Sequence, residues 1–231
     1  MVATVTGKNA VEAWKAGAAL VLSAPEHRVR NLVTEIRNPT QLDDDWLRDF
    51  DPKSVGSTDR LSVVAKVLFP LKPKKKTETR EEFYDRWNNA LTRNKKLKRL
   101  QAPWGTYFGR LTRFGGTINQ LENIVSALST WGSKPEAALV AHISSPALDS
   151  LKPIGSPCLQ YIEVLQNRSN EIELVAVYRN HDFLKKALGN FIGLGRLLQF
   201  IASESGKKPT KLTCHSVRAY TDEVGRLRKL L

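Results

Sequence analysis

The chain is short of the residues from which most metal, redox and disulfide sites are built. It has 2 cysteines and 4 histidines in 231 residues. Cys158 and Cys214 cannot form a disulfide framework, and both are expected as reduced thiols in a cytoplasm. The histidines and cysteines are scattered, no pair has zinc-ligand spacing, and no metal is expected. No apolar run approaches the roughly 20 residues of a membrane span, so no membrane partner is expected. The start, Met1 to Thr6, lacks the basic flank and apolar core of a signal peptide. Acidic residues are outnumbered, 23 against 36 Lys and Arg, which gives a net charge of +13.

Hydrophobic content is 41% and charged content 26%, an ordinary soluble globular composition. The length suits one sizeable domain with a real core or two small ones. The positive balance favours polyanions or phosphorylated small molecules as partners, or a solvated basic face. Lys72, Lys74, Lys75 and Lys76, then Arg93, Lys95, Lys96, Lys98 and Arg99, form basic loops of the kind that grip nucleic acid. They lack the interleaved aromatics of a single-strand platform.

Residues Val11 to Leu22 carry a helical pattern. Val29 to Ile36 alternates as a strand and stops at Asn38-Pro39. Gln41 to Phe50 reads as a helix with acidic residues, Asp43 and Asp44, in its first turn. Leu61 to Phe69, with Val63, Val64 and Val67, reads as a strand. Thr79 followed by Glu82 is a capping box that opens a helix. Ile118 to Thr130 is amphipathic, with Ile118, Leu121, Ile124, Val125 and Leu128 on one face and Trp131-Gly132 as a stop. Ala137 to Ile143 reads as a strand. Leu159 to Leu165 and Ile172 to Tyr178, joined by Asn167 to Asn170, read as an antiparallel hairpin. Leu188 to Ser203 is a long helix whose Gly189, Gly193 and Gly195 point to close backbone packing against the sheet or a ligand, since each glycine costs about 1 kcal/mol in a helix interior. Leu212 to Cys214 is a short last strand, and Asp222 to Leu231 a last helix. The expected fold is α+β: a single domain over residues 1–231, a mainly antiparallel twisted sheet with helices on one face.

The chemistry concentrates between Gly155 and Tyr220. Cys158 follows a turn-forming proline. Thiolate, not thiol, is the nucleophile, and a cation lowers the thiol pKa, so Arg179 across the hairpin is a candidate activator. Asn190 can donate and accept at once, as a pyrimidine edge requires. Asp182 could orient a second substrate or a water. Taken singly, each has an ordinary structural role: an inert thiol, a surface cation, a capping amide.

Together, Pro157-Cys158, Arg179-Asn180-His181-Asp182, Asn190 eight residues past that aspartate, and Ile201-Ala202 resemble the core of thymidylate synthases. The likeness covers Tyr107 to Tyr220, and Phe69-Pro70-Leu71 is similar to a Phe-Pro-Leu of that family. It divides the chain into a divergent, shortened part (1–105) and a core with the active-site motifs (106–231). The resemblance implies a sheet-packed homodimer. It implies that Cys158 is the nucleophile adding to C6 of a uracil-type base. Arg179 would lie near the thiolate and the nucleotide phosphate, Asn190 would read N3 and O4, and Tyr220 would contact the ribose. Asp182 would face the cofactor, 5,10-methylenetetrahydrofolate. The product would be a C5-methylated or C5-hydroxymethylated pyrimidine nucleotide. Where the family has His-x-Tyr this chain reads Arg218-Ala219-Tyr220, with His215 nearby, and both are candidate substrate ligands. Glu82 is the candidate general base. The family's arginine pair is replaced by Pro135-Glu136-Ala137-Ala138, so Lys134, Arg28, Arg30 or the lysine loop would have to meet a phosphate. Two other readings stay open: a nucleotide-binding regulator without turnover, and a basic protein associated with nucleic acid.

Overall fold

The structure, a computed structural model, describes residues 2–41, 50, 60–70, 72, 74–93, 104–130, 139–149, 155–167 and 169–231. Strand β1 (Ala3–Gly7) leads into helix α1 (Ala10–Ser23). Asn9 opens the helix by accepting from the Glu12 N–H at 2.9 Å, an N-cap bond that satisfies one of the free amides of the first turn. The indole of Trp14 in α1 is buried and donates to the Phe183 carbonyl at 2.6 Å. Strand β2 is Arg28–Ile36. Most of the predicted acidic helix over 41–50 lies outside the described residues.

The predicted strand at 61–69 is a helix, α2 (Leu61–Leu68). Its buried residues Leu61, Val64, Ala65 and Leu68 recur at helical spacing. Short apolar runs rich in valine suit either state, and packing arbitrates. The capping box is present: Thr79 N–H donates to Glu82 Oε2 at 2.8 Å, and Glu82 N–H to Thr79 Oγ1 at 3.2 Å. It opens α3 (Arg80–Arg93). Helix α4 is Tyr107–Thr112. Helix α5 (Gln120–Thr130) begins later than its pattern suggests. Asn119 accepts from Glu122 N–H at 2.9 Å as its first cap, and Ile118 is 51% exposed.

Strands β3 (Leu139–His142), β4 (Leu159–Gln166) and β5 (Glu171–Tyr178) follow, the last two forming the expected hairpin. A two-residue strand, β6 (His181–Asp182), precedes α6 (Ala187–Ser205). The predicted short last strand is 13 residues long, β7 (Lys208–Tyr220), and it is followed by α7 (Val224–Arg228). The sheet order is β1-β2-β7-β5-β4-β3, with β6 beside the far end of β7.

The sheet is mixed rather than mainly antiparallel. Strands β1–β2, β5–β7 and β6–β7 pair parallel, and β2–β7, β4–β5 and β3–β4 antiparallel. The chain leaves β5, crosses the sheet face through α6 and returns in β7 along the same direction, which is what a helical crossover produces. The inward rows Leu32, Ile36, Leu174, Ala176, Leu212 and Cys214 are buried. The opposite rows of the same strands are half-exposed.

Helix α6 is buried on nearly every side. Its glycines are spent on other segments of the chain rather than on the sheet or a ligand. A Cβ on Gly189 would sit 2.7 Å from Val64 Cβ, and one on Gly193 3.0 Å from the Ala65 carbonyl oxygen, both in α2. A Cβ on Gly195 would overlap the Pro39 carbonyl oxygen. Backbone cannot yield as a side-chain tip does. Gly195→Ala is therefore expected to cost about 3 kcal/mol, the upper end for overpacking, read as a lower denaturant midpoint at an unchanged m-value.

Candidate functional site

The register of the β4–β5 hairpin brings the thiol and the guanidinium together. Arg179 N–H donates to the Cys158 carbonyl at 2.9 Å. The Arg179 side chain folds back over the preceding loop, with Nε donating to the Pro157 carbonyl at 3.1 Å and Nη2 to that of Ser156 at 3.2 Å. Arg179 thus clamps the loop that presents Cys158.

The segment after β5 supplies the next three groups. Lys186 N–H donates to the Asp182 carbonyl at 3.0 Å, and Asn190 N–H to the Lys186 carbonyl at 2.9 Å. These two bonds hold Asp182, Lys186 and Asn190 four residues apart as the chain passes from β6 into α6. Asp182 Oδ1 accepts from the Leu184 and Lys185 N–H groups at 2.9 and 3.0 Å. Burial raises the Asp182 pKa, and those backbone donors oppose it. Asn190 is 4% exposed, and its Nδ2 lies 3.1 Å from His181 Nε2. His181 Nδ1 lies 2.8 Å from Ser216 Oγ. Burial pushes the His181 pKa down to about 3, so the ring is neutral at physiological pH.

Cys158, Asp182, Lys186, Asn190 and Tyr220 line one cavity of about 310 Å³, the size of a small-ligand pocket. Asn180, Trp104 and Tyr107 complete its polar and aromatic wall, and Val63, Val64 and Val67 of α2 its apolar one. The Trp104 and Tyr107 rings meet at a tilt of 35° with centroids 4.8 Å apart. Tyr107 is buried beside the backbone of Cys158 and Leu159, and burial raises its pKa. At the rim, Arg218 lies over the Tyr220 ring at 4.3 Å and donates to Asn180 Oδ1 at 3.3 Å.

No protein-family model matches the chain. Three archaeal proteins, each named "Putative thymidylate synthase", do match it. The one from Methanococcoides burtonii is 30% identical over 115 residues, which is 50% of this chain and 51% of that protein. The one from Methanosarcina barkeri is also 30% identical over 115 residues, with the same coverage of each chain. The Methanosarcina mazei protein is 29% identical over 115 residues, again 50% and 51%. Over those 115 residues the chain is similar to proteins named as thymidylate synthases. It spans about half the length of the curated relatives it matches.

Of the residues singled out in the sequence, Cys158, Asp182, Asn190 and Tyr220 meet in the cavity, and Arg179 stands behind Cys158. Arg218 contacts two of the lining residues without lining the cavity itself. Two others are not brought in. Glu82 is exposed, and its carboxylate caps α3. His215 projects from the half-exposed sheet face and meets Asn31 Oδ1 at 3.2 Å, because alternation along β7 turns Cys214 and Ser216 inward and His215 outward. Cys158 also departs from expectation: burial, the largest influence, raises its pKa, and Arg179 and then Lys186 only partly offset this.

Sequence reasoning missed Trp104, Tyr107, Asn180, Lys186 and the α2 valines. The Trp104-Gly105-x-Tyr107 run was a usable signal. Lys186 was legible from its spacing between Asp182 and Asn190. Within the basic loop, Lys74 donates to the Glu78 carbonyl at 2.9 Å and pairs with Glu204 at 3.6 Å. Residues 94–99 and 134–138, with the other basic cluster and the replaced arginine pair, lie outside the described residues. Among the described residues no helix is long and apolar enough to cross a membrane.

Proposed function

We propose that the cavity binds a pyrimidine nucleotide with a uracil-type base and that the protein transfers a one-carbon unit to C5 of that base. One observation carries this reading: Cys158, Asp182, Asn190 and Tyr220, spread over 63 positions of sequence, line a single cavity. A thiolate at Cys158 would add to C6, which makes C5 nucleophilic. Asn190 offers a carbonyl to N3–H and an N–H to O4, stabilising charge that develops on O4. Arg179 and Lys186 oppose the desolvation of the sulfur anion, and Lys186 in the cavity wall, with Arg218 against Tyr220 and Asn180, offers cations to a phosphate.

The residues present also fit a folate. The Trp104–Tyr107 pair and the α2 valines offer flat apolar surface to a heterocycle, and Asp182 offers a carboxylate to its N–H groups. 5,10-Methylenetetrahydrofolate would supply the carbon at the methylene level. That carbon ends as a methyl group if the folate also gives up a hydride and leaves as dihydrofolate, or as a hydroxymethyl group if water adds and the folate leaves as tetrahydrofolate. The outer sheet rows, with half-exposed Val33, Val175 and Val177, are the surface on which a second copy would pack as a homodimer. Light scattering is expected to give twice the 25.9 kDa chain mass, and a monomer at micromolar concentration would remove that part of the proposal.

The test of the chemistry is covalent trapping. Incubation with 5-fluoro-2′-deoxyuridine monophosphate and methylenetetrahydrofolate is expected to leave an adduct on the Cys158 peptide in mass spectrometry. The raised Cys158 pKa favours a second reading, in which the cavity holds a nucleotide without turnover. That reading gains if the nucleotide raises the melting temperature but no adduct forms.

A further inference from the structure

A primary amide is nearly symmetric in shape. A half-turn of its terminal torsion exchanges the carbonyl oxygen and the NH₂ at little steric cost. A uracil ring presents an N3–H donor beside a C4 carbonyl acceptor, and a cytosine ring presents an N3 acceptor beside a C4 amino donor. One orientation of an asparagine reads the first edge, and the half-turned orientation reads the second. An asparagine free to turn would serve both bases. Discrimination must therefore come from whatever holds the amide.

We propose that His181 is the residue that holds the Asn190 amide in one orientation and thereby makes the cavity select a uracil-type over a cytosine-type base. The proposal rests on the reading of the cavity as a pyrimidine site. Asn190 Nδ2 is 3.1 Å from His181 Nε2, and His181 Nδ1 is 2.8 Å from Ser216 Oγ. The imidazole is itself fixed. It stacks on Tyr178 with centroids 4.2 Å apart and planes 3° from parallel, and Phe183 and Phe191 meet it edge-on at 5.6 Å. It is 1% exposed, and burial keeps it neutral.

A neutral imidazole has one N–H and one lone pair. The Ser216 hydroxyl is placed to donate to Cys214 and so does not offer a proton to the ring. The ring proton therefore lies on Nδ1 and is donated to Ser216 Oγ, and Nε2 accepts from the amide nitrogen. Nε2 then presents only a lone pair, and a half-turned Asn190 would set its carbonyl oxygen against it, leaving two buried acceptors facing each other. The second amide N–H and the carbonyl remain for the cavity. His181 touches no part of the cavity itself and acts through Asn190, as a positioning residue.

The test combines a tautomer measurement with base discrimination on the full chain. In ¹⁵N spectra of histidine-labelled protein, His181 is expected to carry its proton on Nδ1 and to remain so from pH 5 to 8. Calorimetric affinities for deoxyuridine and deoxycytidine monophosphate are expected to favour the former. His181→Phe keeps a ring but removes the acceptor, and it should lower that preference by about tenfold or more, the scale of one bidentate base contact. His181→Gln, itself a primary amide that can turn to accept from Asn190 or donate to it, should leave the preference as low as His181→Phe does. Ser216→Ala, a milder change that releases the tautomer, should shift the ratio the same way and serves if His181→Phe does not fold. An Nε2–H tautomer, or an unaltered ratio in folded variants, overturns the role of His181 and leaves the base pocket standing. Failure of the wild type to bind either nucleotide overturns the pocket reading and the proposal with it.

Discussion

Cys158→Ser is expected to lower turnover by on the order of 10⁴-fold, about 5.5 kcal/mol of barrier, while leaving nucleotide affinity within a few-fold. The substitution removes the only thiol that lines the cavity and keeps its volume. A hydroxyl there is a far weaker nucleophile than a thiolate, and the carboxylate expected to act as a base, Glu82, is exposed and committed to capping α3. The wild-type thiol carries its own signature. Burial raises its pKa above the usual 9 despite Arg179 and Lys186. The thiolate fraction, and with it the rate of iodoacetamide labelling, should therefore climb about tenfold per pH unit from 7 through 9 without a plateau. Cys214 is fully buried and pushed up to about 12, so peptide mapping should find the label on Cys158 alone. A plateau near neutrality would mean that bound ligand or the guanidinium outweighs desolvation.

The second large effect is on stability in acid. The folded His181 pKa of about 3 lies below the unfolded value of 6.5. Between these values the unfolded chain binds a proton that the native ring refuses, so stability rises with pH across that window and falls on acidification. The contribution is whole above pH 6.5 and is lost as pH drops toward 3, at about 1.4 kcal/mol per unit. None of the side chains around the ring — Ser216, Asn190, Tyr178, Phe183 and Phe191 — supplies a carboxylate to rescue the cation. Urea midpoints at pH 6.5 and 5 should show the wild type losing about 2 kcal/mol more than His181→Gln, a difference in which the other titrating carboxylates cancel. Parallel losses in the two proteins would show that the ring is not held neutral.

The sequence by itself determined the local elements whose signals are chemical. Thr79 and Glu82 wrote their capping box, and the β4–β5 hairpin followed from alternation on both sides of a polar turn. These depend on neighbours a few positions apart, where spacing alone dictates geometry. The tertiary structure decided the rest. It made Leu61–Leu68 a helix, because Gly189 and Gly193 leave a groove that only a closely approaching helix fills. It extended the last strand to 13 residues between two partners, because ladder hydrogen bonds come from the neighbouring strands as much as from the strand's own composition. It turned His215 out and left Glu82 at the surface. It also reversed the expected direction of the Cys158 pKa, since a cation's attraction was legible in the sequence but the desolvation that exceeds it depends on how Tyr107, the hairpin and α2 close around the sulfur.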